Sequence, residues 1–297
     1  MYDADRIKEL FGDAALEYLT HKNRGGASSA RGNTYENFFA VYQLALLAQA
    51  VIEEGKAIYI RSQILAFVDD LVIDCQDETP MRHFQLKNRQ NVTWGKGLRS
   101  ISDDFQKQYE LNQAVFRISE LSLVVSNQEV RADLEASLPN MLKSFSQVIY
   151  FPFGPSLDKV IAQEENFLRA VEYLCAFDKP EPDKIECVAK VLLGAWVASD
   201  KSNLSVMALL KKAQESTPSF IRSFRQNLTL DPDVVKTLDK IDLFSYNLAK
   251  GFFHWSYADG LLEGTLPYSV DSTEFRRFQE RVRLNNPTSF EEIEVLL

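Results

Sequence analysis

Apolar residues recur three and four apart over the first fifty positions, and then the period changes. Ile7, Leu10, Ala14 and Tyr18 mark one face of an amphipathic helix over residues 1–22. Residues 23–33 (NRGGASSARGN) lose that pattern and are rich in Gly, Ser and Ala, so they read as a loop. Thr34 caps a second predicted helix running to about Glu54, with Phe38, Val41, Leu44, Ala45 and Ala48 on its apolar face. Residues 57–66 and 71–75 are dense in Ile, Val and Leu and read as strands. Residues 81–88 make a third strand, entered through the QDETP turn at 76–80. Helices are predicted at 97–118 and 129–145, with a strand at 121–126 between them. After the first helix the order is α-β-β-β-α-β-α, a mixed α/β domain ending near residue 150.

Beyond residue 155 the strand pattern stops. Segments 155–178, 182–199, 203–214, 217–228, 231–240 and 242–257 suit helices, and Pro180, Pro182, Pro218 and Pro232 punctuate them. The expected organisation is an α/β domain over 1–150 and an all-α domain over 151–297, joined at FPFGP (151–155). The stretch after Pro267 has no clear assignment.

Composition narrows the class. With 297 residues, 45% hydrophobic and 25% charged, the chain has a globular composition and room for about two cores. It holds no run of about 18 apolar residues, so neither a spanning helix nor a membrane partner is expected. The opening MYDADRIKEL has no apolar signal segment. Cys75, Cys175 and Cys187 are odd in number and widely spaced, which fits a reducing cytoplasm. No CxxC or HxxxH spacing points to zinc. His254, Trp255 and Tyr257 read as core aromatics.

A net charge of −9 argues against a protein that coats nucleic acid, because phosphate contacts need Lys and Arg. Locally the balance reverses. Between Thr79 and Gln108 lie Arg82, Lys87, Arg89, Lys96, Arg99 and Lys107 against only Asp103 and Asp104. Lys22, Arg24 and Arg31 sit in or beside the 23–33 loop. Arg24, Arg31, Arg89, Lys96 and Arg99 are the expected contacts to a duplex backbone. Trp94, among the turn residues of NVTWGKG (91–97), either touches DNA or is buried.

Three pieces of the first domain carry candidate chemistry. Glu36 sits in the first turn of the second helix; Asp69-Asp70 opens the second strand; Gln85-x-Lys87 lies on the third. Strand alternation puts Gln85 and Lys87 on one face, and Asp70, Val72 and Asp74 on one face of the neighbour. If the two strands pair, a carboxylate, an amide and an ammonium converge at one end of a small sheet. Phosphodiester hydrolysis uses that set: oxygen ligands hold Mg²⁺ or Mn²⁺, and a lysine orients water or offsets developing charge.

The order Glu36, Asp70, Gln85-x-Lys87 on helix, strand and strand resembles the PD-(D/E)xK nuclease superfamily, which tolerates Gln in place of the middle acid. More narrowly, ARGNTYENFFAV, FVDDLVID, FQLK and VVSN resemble the double-stranded DNA endonuclease domain shared by CBASS effector nucleases and the nuclease subunit of Lamassu anti-phage systems. The resemblance covers residues 24 to 127. It implies a restriction-endonuclease-like sheet, with Glu36, Asp70 and Gln85 as metal ligands and Asp69 as an alternative or supporting one. It further implies Lys87 as the group that positions water, double-stranded DNA as substrate and 5′-phosphate ends. It departs from the family at Ala66, where an acidic residue often stands. The helical C-terminal half does not look like a cyclic-oligonucleotide sensor. That favours control by a regulatory protein subunit, such as an SMC-like ATPase, with a homo-oligomer formed on activation. Two other readings stay open at this level: a catalytically degenerate adaptor in a larger complex, and an RNA-directed nuclease.

Overall fold

Gly12, at φ +79°, divides the first predicted helix in two in the computed structural model. The structure describes residues 3–25, 30–76, 80–177, 179–217, 219–225 and 229–297, without the side chains of 23–25 and 30–32. The chain begins with α1 (Ala4–Phe11), α2 (Asp13–Gly25) and α3 (Ala30–Glu53). Both ends of the segment read as a loop are therefore helical. Thr34 lies within α3 rather than capping it, because the helix-forming Ala30 and Arg31 extend it backward.

The next elements are β1 (Ile58–Arg61), β2 (Leu71–Cys75), β3 (Met81–Lys87), α4 (Ile101–Ala114), β4 (Ser119–Val125), α5 (Gln128–Ala136) and β5 (Ser146–Tyr150). A 3₁₀ turn at Asn140–Leu142 ends the second helical stretch early and frees β5, which the periodicity did not reveal. There follow α6 (Leu157–Gln163), α7 (Glu165–Leu174), α8 (Pro182–Val197), β6 (Leu204–Ser205), α9 (Val206–Ser216) and α10 (Pro232–Leu238). The chain closes with β7 (Phe244–Ala249), β8 (Phe252–Tyr257), β9 (Leu262–Thr265), α11 (Thr273–Asn285) and α12 (Phe290–Glu294).

Six strands form one mixed sheet in the order β5-β4-β3-β2-β1-β6. Strands β2 and β3 pair antiparallel with Leu71 opposite Phe84 and Val72 opposite His83; β3 and β4 run parallel. One step beyond the first pair, Asp70 comes opposite Gln85. Helices cover both faces. On one, Phe39 of α3 meets Phe84 edge-on with centroids 5.2 Å apart. On the other, Leu121, Leu123 and Val125 pack with Phe105 of α4 and Leu134 of α5. Trp94 belongs to that second core: it is 4% exposed, its indole donates to Leu134 O, and its ring stands edge-on to Phe105.

The chain divides into two compact units, 1–170 with 192–210, and 171–191 with 211–297. The boundary drawn at 150 thus falls inside the first unit. The second unit is not all-α. Strands β7, β8 and β9 form an antiparallel sheet whose Phe253 packs with Phe275, Phe278, Phe290 and Ile293 of α11 and α12. Segment 242–257, expected as a helix, is a hairpin. Its turn residues Lys250 and Gly251 both have positive φ, +53° and +87°, as a two-residue turn between twisted strands requires. Among the described residues, no helix is long and apolar enough to cross a membrane.

Candidate active site

The site lies in the first unit, where the irregular segment 62–70 delivers the aspartate pair to the start of β2. Ser62 Oγ donates to Asp70 O (2.8 Å), and Gln63 N donates to Asp69 O (2.8 Å). Gln63 is held at φ +55°, a left-handed conformation that costs a non-glycine residue energy and clusters at functional sites. Its Nε2 donates to Glu36 Oε2 at 3.3 Å. Glu36 reaches the site from α3.

Asp70 is 9% exposed and Gln85 3%. The Asp70 Oδ2 accepts from Leu86 N at 2.7 Å and from Gln85 Nε2. Lys87 Nζ lies 3.9 Å from the same oxygen. Of the residues expected from sequence, Glu36, Asp69, Asp70, Gln85 and Lys87 do come together. Burial, then repulsion from Asp70, pushes the Glu36 carboxyl up to about 7, and Lys87 only partly opposes this.

Asp69 belongs to a second group behind Asp70. It is 2% exposed, its Oδ1 has no hydrogen-bond partner among the described residues, and burial pushes it up to about 7. Lys22 of α2 enters this group. Its ammonium donates to Phe67 O, to Gln85 Oε1 at 3.1 Å and to Asp104 Oδ2 at 3.1 Å, and lies 3.6 Å from Asp69 Oδ1. Tyr18 Oη, one helical turn before Lys22, donates to Asp104 Oδ2 at 3.0 Å. Burial lowers the Lys22 pKa, but Asp69 and Asp104 outweigh it, and the ammonium is held above its ordinary range.

From sequence, Lys22 and Asp104 counted only as charges and Tyr18 only as part of an apolar helix face, and Gln63 and Lys201 were not named. Lys201 Nζ donates to Asn37 Oδ1 at 3.2 Å, 4.8 Å from the Trp196 ring, within electrostatic reach of Glu36. One signal was present: Tyr18 and Lys22 are four apart on one helix face. The rest are contacts between distant positions; Lys22 and Gln85 are 63 residues apart.

The donor set suits a hard divalent cation. Mg²⁺ is commonly held by one or two carboxylates with water completing its shell. Glu36 and Asp70 would supply two such carboxylates, and their mutual repulsion is the kind a cation relieves. Gln85 and the backbone beside it offer neutral oxygens. Among the described residues no cluster of three or more His, Cys, Asp or Glu side chains is placed to hold a metal ion, so these neutral oxygens would be needed.

The basic residues are placed less completely. Arg89, Lys96 and Arg99 are exposed. Arg99 backs onto the site, its guanidinium carbon 5.1 Å from the Tyr18 ring centroid. The side chains of Arg24 and Arg31 lie outside the described residues, as does the middle of the QDETP turn.

No family model matches the chain, and no curated protein does. Among solved structures it is similar to a SAVED/CARF-domain containing receptor, Cap4, from Acinetobacter baumannii, in a structure with the cyclic trinucleotide 2′3′3′-cAAA. The two are 12% identical with a TM-score of 0.39, and the match covers 64% of this chain. The chain spans about half of that receptor, 47% of its length.

Proposed function

We propose that this chain is a metal-dependent endonuclease acting on double-stranded DNA. The observation that carries the reading is the convergence of Asp70, Gln85 and Lys87 across β2 and β3, with Glu36 brought alongside from α3. Glu36 and Asp70, with the Gln85 carbonyl oxygen, would hold Mg²⁺ or Mn²⁺, and Asp69 supports the strand end from behind. Such an ion, when bound, polarises the scissile phosphate and lowers the pKa of a bound water. Lys87 would orient the attacking water and offset the negative charge that gathers on the phosphate. Leu86 N holds the Asp70 carboxylate in place through its own hydrogen bond. The exposed Arg89, Lys96 and Arg99 would take backbone phosphates, which contribute affinity without sequence preference.

The sequence resemblance extends the proposal to an effector of anti-phage defence, held inactive until a regulatory subunit or self-assembly activates it. A net charge of −9 should weaken DNA binding by the chain alone, which suits such control. Purified protein, alone or with its partner, should nick or cut plasmid with Mg²⁺ or Mn²⁺, and Lys87→Ala should abolish cutting. Cutting by that variant at the wild-type rate would overturn this site.

A catalytically degenerate adaptor is the second reading. It is favoured by the inward pairing of the site: Gln85 spends its amide group on Asp70 and its oxygen on Lys22. Mn²⁺ titration separates the two, since an adaptor would take up no metal through Asp70.

A further inference from the structure

We propose that Lys22 is a positioning residue that fixes which way the Gln85 amide faces and thereby restrains metal loading. The inference rests on the nuclease reading of Asp70 and Gln85. An ammonium carries only donors, and an ionised carboxylate only acceptors. Lys22 Nζ sits 3.1 Å from one end of the Gln85 amide, and Asp70 Oδ2 accepts from the other. Between these neighbours the amide has one satisfactory orientation, with Oε1 toward Lys22 and Nε2 toward Asp70. A cation shared by Asp70 and Gln85 needs the opposite one, with Oε1 on the Asp70 side. Loading the metal therefore requires the Lys22–Gln85 bond to break and the amide to turn over.

Lys22 is anchored well enough to impose this choice. Phe67 O and Asp104 Oδ2 hold the same ammonium, and Tyr18 from the same helix bonds Asp104. The restraint is thus carried by α2, outside the sheet strand that holds Gln85.

The test is Mn²⁺ titration of the full-length protein by calorimetry, with circular dichroism to check the fold. Lys22→Met alone leaves Asp69 and Asp104 buried without their counter-charge and can unfold the chain. Lys22→Met with Asp104→Asn keeps the local charge unchanged and is the variant that decides. We expect it to bind Mn²⁺ about tenfold more tightly than wild type, the scale of one hydrogen bond to a charged group. Lys22→Arg should keep wild-type affinity. On a Gln85→Glu background the two changes should bring no gain, since a carboxylate has no orientation to set. If Asp70→Asn abolishes wild-type Mn²⁺ binding while the paired variant binds no more tightly, the role of Lys22 is overturned and the metal site stands. An equal gain on the Gln85→Glu background also overturns it. If neither wild type nor the paired variant binds Mn²⁺ through Asp70, both this inference and the nuclease reading fail.

Discussion

Gln85 stands opposite Asp70, and the next amide along β3, that of Leu86, donates to the same Asp70 oxygen. These two hydrogen bonds tie the Asp70 carboxylate directly to the Gln85-x-Lys87 strand. Asp70 carries two duties that mutation can separate. Asp70→Ala strands the buried Leu86 N–H and should cost about 1–3 kcal/mol of stability in urea denaturation. Asp70→Asn keeps an acceptor for Leu86 and should lose much less stability while losing Mn²⁺ binding. Equal losses in the two variants would show that the hydrogen bond to Leu86 is unimportant to the fold.

Lys87 makes a long contact, 3.9 Å, to Asp70, and its side chain is 26% exposed. Partly exposed pairs of this kind contribute about 1 kcal/mol or less. Lys87→Ala should therefore melt within a few degrees of wild type while plasmid cutting falls by about 10²-fold or more. A large drop in melting temperature would recast Lys87 as structural.

The pH dependence of stability should show two opposed effects. His83 is fully buried, its Nδ1 donates to Val68 O, and burial lowers its pKa to about 4. The unfolded chain protonates this histidine near 6.5, so its contribution falls as pH drops below 6.5, by about 3 kcal/mol at pH 4. Glu36 has the opposite sign. Raised to about 7, it favours the folded state as pH falls from 7 toward 4.5 and penalises it above 7. In metal-free buffer, Glu36→Gln should melt higher than wild type at pH 8. Between pH 7 and 5 it should lose stability more steeply, because one of the two compensating carboxyls, Glu36 and Asp69, is gone. Parallel melting curves across that range would contradict the assignment.

Of the basic residues expected to contact DNA, Arg89, Lys96 and Arg99 are exposed among the described residues, whereas Trp94 is core. Replacing the three with Ala should lower the slope of log affinity against log salt for duplex DNA by about 2–3. Trp94→Ala should instead cost about 3–5 kcal/mol of stability. An unchanged salt slope in the triple variant would remove these residues from the DNA surface.

In the second unit, a Cβ at Gly251 would lie 2.0 Å from the Ser223 Cβ, at a φ of +87°. Gly251→Ala should destabilise the β7–β8 hairpin by at least about 2 kcal/mol in thermal unfolding. A wild-type melting temperature would mean that the turn is not built this way.

Strands β2 and β3 of the first unit were legible because Leu71–Cys75 and Met81–Lys87 carry apolar residues at strand spacing, and their antiparallel pairing follows from the short turn; β5 and the two-residue β6 were not. The hairpin at 244–257 was equally open to reading: Phe244, Tyr246 and Leu248 alternate, and Lys250-Gly251 supplies the turn. Aromatic residues also fall at helical spacing there, and choosing that period hid the sheet. The Lys22 group was not legible. Its members come from α2, segment 62–70, β3 and α4, and only tertiary packing brings them together.

The first unit is not finished when the chain first leaves it. Residues 192–210 return to it, adding β6 beside β1 and placing Lys201 near Glu36. A polypeptide still being synthesised therefore holds an incomplete site until residue 210 has emerged. A proteolytic fragment ending at 150 or 170 would lack its edge strand and one of its cations. For a chain proposed to cut DNA, this order of synthesis keeps the chemistry waiting on most of the protein being made.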